Sequence, residues 1–383
     1  MKRKIRTHQA VYFAVMSPHF KRNLARVLPF GAIWLVISLF TTLSDLTQSW
    51  DQNLNLSADV EMTLPVIIFA SFASFLVGML VGYLEMVKWQ GRFRHLSFLR
   101  GLFIKLMLYL LIMVVIVAMF YPVAVSLGSE FSVFDQETME ITGRFFLSMT
   151  FLNTLIELGF SLMISLIYAG FSEHVGHQFL QKLVTGKYHN AQEEHRIFMF
   201  LDMNESTTFA EKLGHIKYFD LLQDYYETMT DPIIRYEGEV YQYVGDEVVV
   251  TWKASEDTAR NNCIACFFGI KDNLNKQASK FQEKYGVVPH FKAGIHIGKV
   301  TTGKIGSLKK EIVFTGDVLN AAARIQGMCK TYQRPLIVSR EIIDAMEDAS
   351  SLQLESLGTT QLRGREEPAE LFAISRTAVS PSA

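Results

Sequence analysis

The chain has little cysteine and little proline, with three cysteines and nine prolines in 383 residues. All three cysteines (Cys263, Cys266 and Cys329) fall in the second half, which argues against a disulfide framework and favours a reducing compartment. Cys263 and Cys266 have CxxC spacing, but they stand in a predicted helix without a second pair, so we interpret them as packing residues. An excess of charge is also absent, since 37 basic residues face 38 acidic ones. No nucleic-acid-binding surface is therefore expected.

Long apolar runs are absent from the second half of the chain and dominate the first. They lie near residues 28–44, 64–87, 103–127 and 146–170. Each is close to the roughly 20 residues that a helix needs to cross a bilayer. The sequence therefore predicts an α-helical membrane domain of four transmembrane helices over residues 1–171, in contact with the lipid bilayer.

Basic residues are missing from one long stretch, between Arg26 and Lys88. The loop within this stretch carries Asp45, Asp51 and Glu61 instead, and the third loop is likewise acidic. Basic residues cluster before the first span and between the second and third. The positive-inside rule then places both termini and the second half of the chain in the cytoplasm. We expect a multi-pass protein of the cell (inner) membrane.

One ionisable residue, Glu157, falls within the fourth apolar run, with Asn153 one helical turn before it. A carboxyl group at that depth is costly and indicates a functional site. The alternative is a protonated or paired glutamate that only holds the helices together. Neither outer loop is large enough for a folded sensor, so any input would come from lipid, a small hydrophobic ligand or a regulatory membrane protein.

Two acidic residues in the second half follow apolar, strand-like runs. Asp202 ends the run 196–202, and Asp246 lies in a Gly-Asp turn between two runs rich in valine and tyrosine. Aspartate is depleted in strands, so packing explains neither position well. Two carboxylates held at strand ends suit hard divalent cations.

The pattern of the second half predicts an alternation of strands and helices. Strands are predicted at 196–202, within a hairpin at 233–252, at 289–297, near 311–314, at 335–339 and as a pair around 352–374; helices are predicted at 207–229, 255–284 and 317–328. Two βαβ-like halves around an antiparallel sheet indicate an α+β domain of the split βαβ (ferredoxin-like) type.

Four ordered motifs resemble those of class III nucleotidyl cyclase catalytic domains. They are Phe200–Thr207, Tyr243–Asp246, Ala293–Gly298 and Gly316–Arg324, followed by the basic turn Leu362–Arg365. The resemblance covers about residues 190–376 and implies a cyclase domain at 196–376, behind a helical linker (172–195) and before a short tail (377–383). Spans followed by one such domain also resemble membrane-anchored bacterial adenylate cyclases.

The resemblance implies a role for individual residues. Asp202 and Asp246, with the adjoining Met203, would form the site for two divalent cations, Mg²⁺ or Mn²⁺. The backbone from Met203 through Asn204, Glu205 and Ser206 to Thr207 would cradle the triphosphate, although the family often has glycine at the position of Glu205. Asn320 would orient the ribose, and Arg324 would stabilise the pentavalent phosphorus. Arg363 and Arg365 would either contact the terminal phosphates or form a solvated basic turn.

The resemblance also implies a homodimer, because the family takes its metal aspartates from one subunit and its Asn–Arg pair from the other. Substrate choice stays open. The two base-reading positions hold Gln242 and Val313, which match neither the adenylate nor the guanylate pattern. The glutamine amide can both donate and accept hydrogen bonds, so it suits adenine or guanine. ATP is the preferred prediction; GTP, or a degenerate domain that binds nucleotide and dimerises, is the alternative.

Overall fold

The computed structural model describes residues 17–50, 64–89, 92, 96–129, 131–175, 190–255, 258–308, 310–346, 352–361 and 368–377. The chain divides into two compact units. The membrane unit comprises Phe20–Thr185, and the sheet unit comprises Gly186–Ala383 together with Met1–His19. The two units are considered separately below.

The membrane unit is helical. Its helices are α1 (Pro18–Trp50), α2 (Leu64–Tyr83, continued by the π-helical turn Leu84–Lys88), α3 (Phe98–Gly128), α4 (Gln136–Phe146) and α5 (Met149–Val175). Four segments are long and apolar enough to cross a membrane: Pro18–Ser44, Leu64–Lys88, Leu99–Leu127 and Met149–Glu173. The prediction of four apolar helices is therefore confirmed. The short helix α4 was not predicted, because it carries too few apolar residues to stand out from the acidic loop.

Polar side chains bridge the helices of this unit at several points. Trp34 Nε1 donates a hydrogen bond to Ser165 Oγ at 2.9 Å, which joins α1 to α5. The Glu85 carboxylate lies in the π-helical turn after α2, where it pairs with the Lys105 ammonium and accepts a hydrogen bond from Tyr109 Oη at 3.0 Å. Within a bilayer such groups need partners from neighbouring helices, and here they have them.

The sheet unit contains eight strands and six helices among its described residues. In chain order they are β1 (Gln192–Met203), α6 (Ser206–Leu213), α7 (His215–Arg235), β2 (Glu239–Val244), β3 (Glu247–Lys253), α8 (Ala259–Lys276), α9 (Ala278–Tyr285), β4 (Phe291–Ile305), β5 (Glu311–Thr315), α10 (Asp317–Tyr332), β6 (Leu336–Ser339), α11 (Arg340–Ala345), β7 (Leu352–Thr360) and β8 (Ala369–Arg376). The strand order is β2-β3-β1-β4-β6-β8-β7, and β5 pairs with β4. This is the predicted α+β architecture.

The main departures from the predicted elements occur at helix ends. The helix predicted over 207–229 is two helices, because Gly214 adopts a positive φ of 73° and ends α6. The predicted long helix 255–284 is likewise interrupted, at Gln277. Strand β4 runs eight residues beyond its predicted end at 297 and pairs there with β5. The short helix α11, between β6 and β7, was not predicted.

The alternation of side chains along β1 gives the sheet its two faces. Ile197, Met199 and Leu201 are buried in the larger core, which includes residues of α7 and α8. Phe198 and Phe200 point the other way and pack with α10. The Cβ of a side chain at Gly294 would lie 2.2 Å from the backbone nitrogen of Gln326, so a glycine is needed there for α10 to approach β4.

Candidate active site

The two predicted metal-binding aspartates lie together in the structure. Asp202 is opposite Glu247 on β3 and Lys292 on β4, on the face of the sheet that α10 covers. Asp246 occupies the β2–β3 turn after Gly245, whose φ of 63° fits the tight reversal. Both the Asp202 carboxylate and the Ser206 hydroxyl influence the pKa of the Asp246 carboxyl.

The electrostatics of this acid pair are those of a site for positive charge. Burial and then the charge of Asp202 raise the pKa of Asp246, against a lowering by the hydrogen bond from Ser206. The pKa of Glu247 is raised by burial and by the charges of both aspartates. Asp246 Oδ2 is buried and has no hydrogen-bond partner among the described residues. A buried carboxylate oxygen without a donor, beside a second carboxylate, fits a divalent cation.

The carboxylate set is small. No cluster of three or more His, Cys, Asp or Glu side chains suited to a metal occurs in the part of the chain that the structure describes. Mg²⁺ sites in phosphate-handling proteins commonly use one or two carboxylates and complete their coordination with substrate phosphates and water. Two aspartates can therefore serve a cation whose remaining ligands are phosphate oxygens and water.

Two residues that the sequence did not single out hold Asp202 in place. Lys292 Nζ lies 2.9 Å from Asp202 Oδ2, and Gln326 Nε2 donates to the same oxygen at 3.1 Å. Lys292 could have been found from the sequence only with the register of β1 on β4, which pairs it with Asp202. Gln326 follows from the helical spacing that it shares with Val318 and Ala322, which pack on the same sheet face.

A tyrosine on α7 supports the turn that carries Asp246. The hydroxyl of Tyr226 donates a hydrogen bond to the carbonyl of Gly245, and its ring centroid lies 4.6 Å from that of Tyr243. Burial and the charge of Asp246 raise the pKa of Tyr226 to about 12, so it stays a donor at neutral pH. Tyr218 is a second tyrosine near Asp246. Its pKa is also raised, first by burial and then by the charge of Asp246.

The predicted phosphate loop connects β1 to α6. Met203 is buried in the core, and the Asn204 amide donates to the His290 carbonyl at 2.8 Å, so this amide is already used within the chain. Glu205 has a left-handed φ of 59°, a conformation that glycine adopts at lower cost than glutamate. The first amides of α6, at Ser206 and Thr207, have no acceptor within the helix and can meet an anion.

The Asn320–Arg324 pair lies on a different side of α10 from the acid pair. Ala322 and Gln326 mark the side that faces the sheet and Asp202. Asn320 and Arg324 each precede one of them by two residues, which is a rotation of about 200° around an α-helix. Asn320 is exposed, and Arg324 Nη1 is buried without a hydrogen-bond partner among the described residues. The two pairs are therefore not presented to the same point within one chain.

The predicted base-reading residues lie on two strands that contact each other. Gln242 is exposed on β2, beside a register shift that begins at Val240, and Val313 is half-buried on β5. Their sequence neighbours meet, since the Phe314 amide lies 3.5 Å from Tyr241 Oη and the two rings are 5.0 Å apart.

Two other sets of predictions lie wholly or mainly outside the described residues. Arg363 and Arg365 are outside them, as is most of the predicted linker 172–195.

Comparison with known proteins shows that this half of the chain is similar to nucleotide cyclases. Residues 189–375 match the model of the adenylate and guanylate cyclase catalytic domain. Adenylate cyclase 2 of Rhizobium meliloti (strain 1021) is 33% identical over 210 residues, which are 55% of this chain and 57% of that protein. Adenylate cyclase 1 of the same organism is 25% identical over 180 residues, covering 46% of this chain and 27% of that protein. The crystal structure of the adenylyl cyclase CyaB from P. aeruginosa covers 49% of this chain and 97% of its own, at 18% identity and a TM-score of 0.44. The chain thus spans less than two thirds of the length of either relative from Rhizobium meliloti.

Proposed function

Since residues 189–375 match the model of the adenylate and guanylate cyclase catalytic domain, we propose that the protein is a membrane-bound adenylate cyclase. It converts ATP into 3′,5′-cyclic AMP and pyrophosphate. The observation that carries this proposal is the acid pair Asp202–Asp246, in which the buried Oδ2 of Asp246 has no hydrogen-bond donor among the described residues. Support for ATP over GTP comes from a relative at 33% identity that bears the name adenylate cyclase.

The acid pair would hold two divalent cations, Mg²⁺ or Mn²⁺, through Asp202 and Asp246. When bound, these ions lower the pKa of the ribose 3′-hydroxyl and neutralise negative charge on the phosphates. Lys292 and Gln326 take Oδ2 of Asp202 and so leave its other oxygen directed away from them. Tyr226 holds the Gly245 carbonyl and thereby fixes the turn from which Asp246 projects.

The reaction is an in-line displacement at the α-phosphorus. The ribose 3′-oxygen gives its proton to a water molecule and bonds to the α-phosphorus, while the bond from that phosphorus to the oxygen bridging the β-phosphate breaks. Pyrophosphate leaves with the electron pair of that bond. The free amides at the start of α6 would bind phosphate oxygens. Arg324, with its planar fork of donors, would stabilise charge on the transferring group, and Asn320 would orient the ribose.

The reaction site would form between two copies of the chain. Asp202 faces the side of α10 that packs on the sheet, whereas Asn320 lies on another side of that helix. One chain therefore presents the acid pair and the Asn–Arg pair in different directions. A two-fold homodimer would join the acid pair of each chain to the Asn–Arg pair of its partner and give two equivalent sites. The monomer would be inactive.

Four apolar helices support a membrane location for the first half. The distribution of basic residues would place the cyclase domain and both termini on the cytoplasmic side of the cell (inner) membrane. ATP is available in that compartment. The membrane unit would then be the part of the protein that receives a signal.

The decisive experiment incubates the purified full-length protein, reconstituted in lipid nanodiscs, with Mn²⁺ and either ATP or GTP. Cyclic nucleotides are identified by mass spectrometry, and an Asp246→Asn chain is the control. Cyclic AMP that depends on Asp246 supports the proposal. Cyclic GMP formed from GTP would indicate a guanylate or dual-specificity cyclase. The amide of Gln242 also suits guanine. No product from either nucleotide would indicate a nucleotide-binding dimerisation module.

A further inference from the structure

A groove in the membrane unit combines bulky apolar walls with polar groups. It lies between α1 and α5 and has a volume of about 470 Å³. Phe40, Ile156 and Phe160 form apolar parts of its wall, while Thr41, Asn153 and Glu157 supply the polar part. This volume falls within the range of small-molecule sites, roughly 300–1,000 Å³, which are also mostly apolar with a few convergent polar groups.

One polar side chain of the groove has no partner among the described residues, and the others do. Thr41 Oγ1 donates a hydrogen bond to Glu157 Oε1 at 2.9 Å and so joins α1 to α5. The side chain of Asn153, one turn earlier on α5, has no hydrogen-bond partner among the described residues. Its amide can both donate and accept. In hydrocarbon an unsatisfied amide is costly, so a partner from outside the chain is expected there.

The groove falls inside the apolar layer of a bilayer. Glu157 lies about 12 Å along the axis from Met149, the first residue of α5, at 1.5 Å per residue. The hydrocarbon core is about 30 Å thick. A ligand that enters here therefore comes from the membrane and carries most of its surface as hydrocarbon.

The walls favour a flexible chain over a helix as the occupant. Helices that pack in membranes approach through small residues. Here the rim is formed by Phe40, Ile156 and Phe160, which are 72%, 63% and 52% exposed. A concave space between such side chains fits a single alkyl chain better than the broad surface of another helix.

We propose that this groove binds a single-chain amphiphile whose head group donates hydrogen bonds, a hydroxyl or an ammonium group, to Glu157 and Asn153. Glu157 and the oxygen of Asn153 supply acceptors, and Thr41 fixes one carboxyl oxygen of Glu157. A carboxylate head would present only acceptors to these acceptors and is disfavoured. The site rests on the membrane unit alone and holds whether or not the sheet unit makes cyclic AMP.

The test uses the full-length protein in nanodiscs and a long-chain primary alcohol that carries a photoreactive diazirine. Labelled positions are located by mass spectrometry, with unlabelled alcohol, amine and fatty acid of equal chain length as competitors. We expect saturable labelling of α1 and α5 at the groove. The alcohol or the amine should compete, and the one that competes better identifies the head group. The fatty acid should compete poorly.

Substitutions then test the polar contacts. Glu157→Gln and Asn153→Leu should each weaken competition by about tenfold, the equivalent of about 1.4 kcal/mol. Thr154→Val is the matched control, because Thr154 lies on the same helix outside the groove and donates to the Thr150 carbonyl at 3.0 Å. In this variant the unlabelled alcohol should compete with the label as well as it does in the unchanged protein. Thermal unfolding identifies any variant that fails to fold.

Three results would overturn the proposal. Labelling spread evenly over all helices and unaffected by excess alcohol would mean that bulk lipid fills the groove. Equal competition by the fatty acid would remove the role of Glu157. Efficient disulfide formation between two Ile156→Cys chains, with no saturable labelling, would assign the groove to a second copy of the protein. Because no readout involves a nucleotide, these failures are distinct from a failure of the proposed cyclase activity.

Discussion

Lys292 and Asp202 lie opposite each other on β4 and β1, and Nζ of the lysine is 2.9 Å from Oδ2 of the aspartate. Their side chains are 23% and 27% exposed, so solvent screens the ion pair only in part. The same carboxylate oxygen accepts from Gln326. A cation bound by Asp202 must therefore share this carboxylate with a fixed positive charge.

Lys292→Met should strengthen binding of Mn²⁺, because it removes the competing charge. The expected gain is roughly threefold to tenfold, the range of a partly buried ion pair worth about 1 kcal/mol. Binding is measured by electron paramagnetic resonance of free Mn²⁺, without nucleotide. Lys330→Met, which removes the same charge from an exposed position on α10, is the control and should change little. Weaker Mn²⁺ binding in Lys292→Met would show instead that the lysine chiefly orients the carboxylate.

Mixed dimers should recover activity that neither parent has. Asp202→Asn removes a metal ligand, and Arg324→Ala removes the guanidinium group, so each homodimer should be inactive. In a dimer of one chain of each kind, one of the two sites keeps every catalytic group. Production of cyclic nucleotide by co-expressed, doubly tagged heterodimers is the measurement, and Asp202→Asn chains that carry both tags are the control. Inactive heterodimers would place each site within a single chain.

Gln242→Ala should reduce discrimination between ATP and GTP more than it reduces the dependence on Mn²⁺. Gln242 is exposed on β2 and can form hydrogen bonds to a purine edge. Loss of such a reader leaves polar groups unpaired and costs about 1–3 kcal/mol. The ratio of kcat/KM for the two nucleotides is measured in both proteins. If the ratio is unchanged, another residue or the backbone near Val313 selects the base.

Much of the fold could be predicted from local sequence pattern. The four apolar helices follow from run length, and the β2–β3 hairpin follows from valine- and tyrosine-rich runs around Gly245–Asp246. The breaks between helices were harder to find. Gly214 ends α6, yet an isolated glycine within a helical pattern is also tolerated, so the sequence alone did not decide between these outcomes.

The remaining parts of the site depend on contacts that are distant in the sequence. The contact of Asp202 with Lys292 requires the register of β1 on β4, and its contact with Gln326 requires the side of α10 that packs on the sheet. A shift of one residue in that register would turn Lys292 to the opposite face. Family resemblance supplied Asn320 and Arg324 but not the direction in which α10 presents them.

Glu205→Gly should stabilise the protein, because Glu205 has a left-handed φ of 59° at the start of α6. A non-glycine residue pays roughly 1–2 kcal/mol for this conformation, and the added freedom of glycine in the unfolded chain offsets about 0.4–1 kcal/mol of the gain. The net increase in the free energy of unfolding is therefore about 0.5–1 kcal/mol, seen as a higher Tm of the full-length protein in detergent. Glu211→Gly is the matched control, since Glu211 is exposed within α6 and the same change there should lower stability by about 1 kcal/mol. A lower Tm for Glu205→Gly would mean that the glutamate side chain contributes more to the loop than its backbone strain costs.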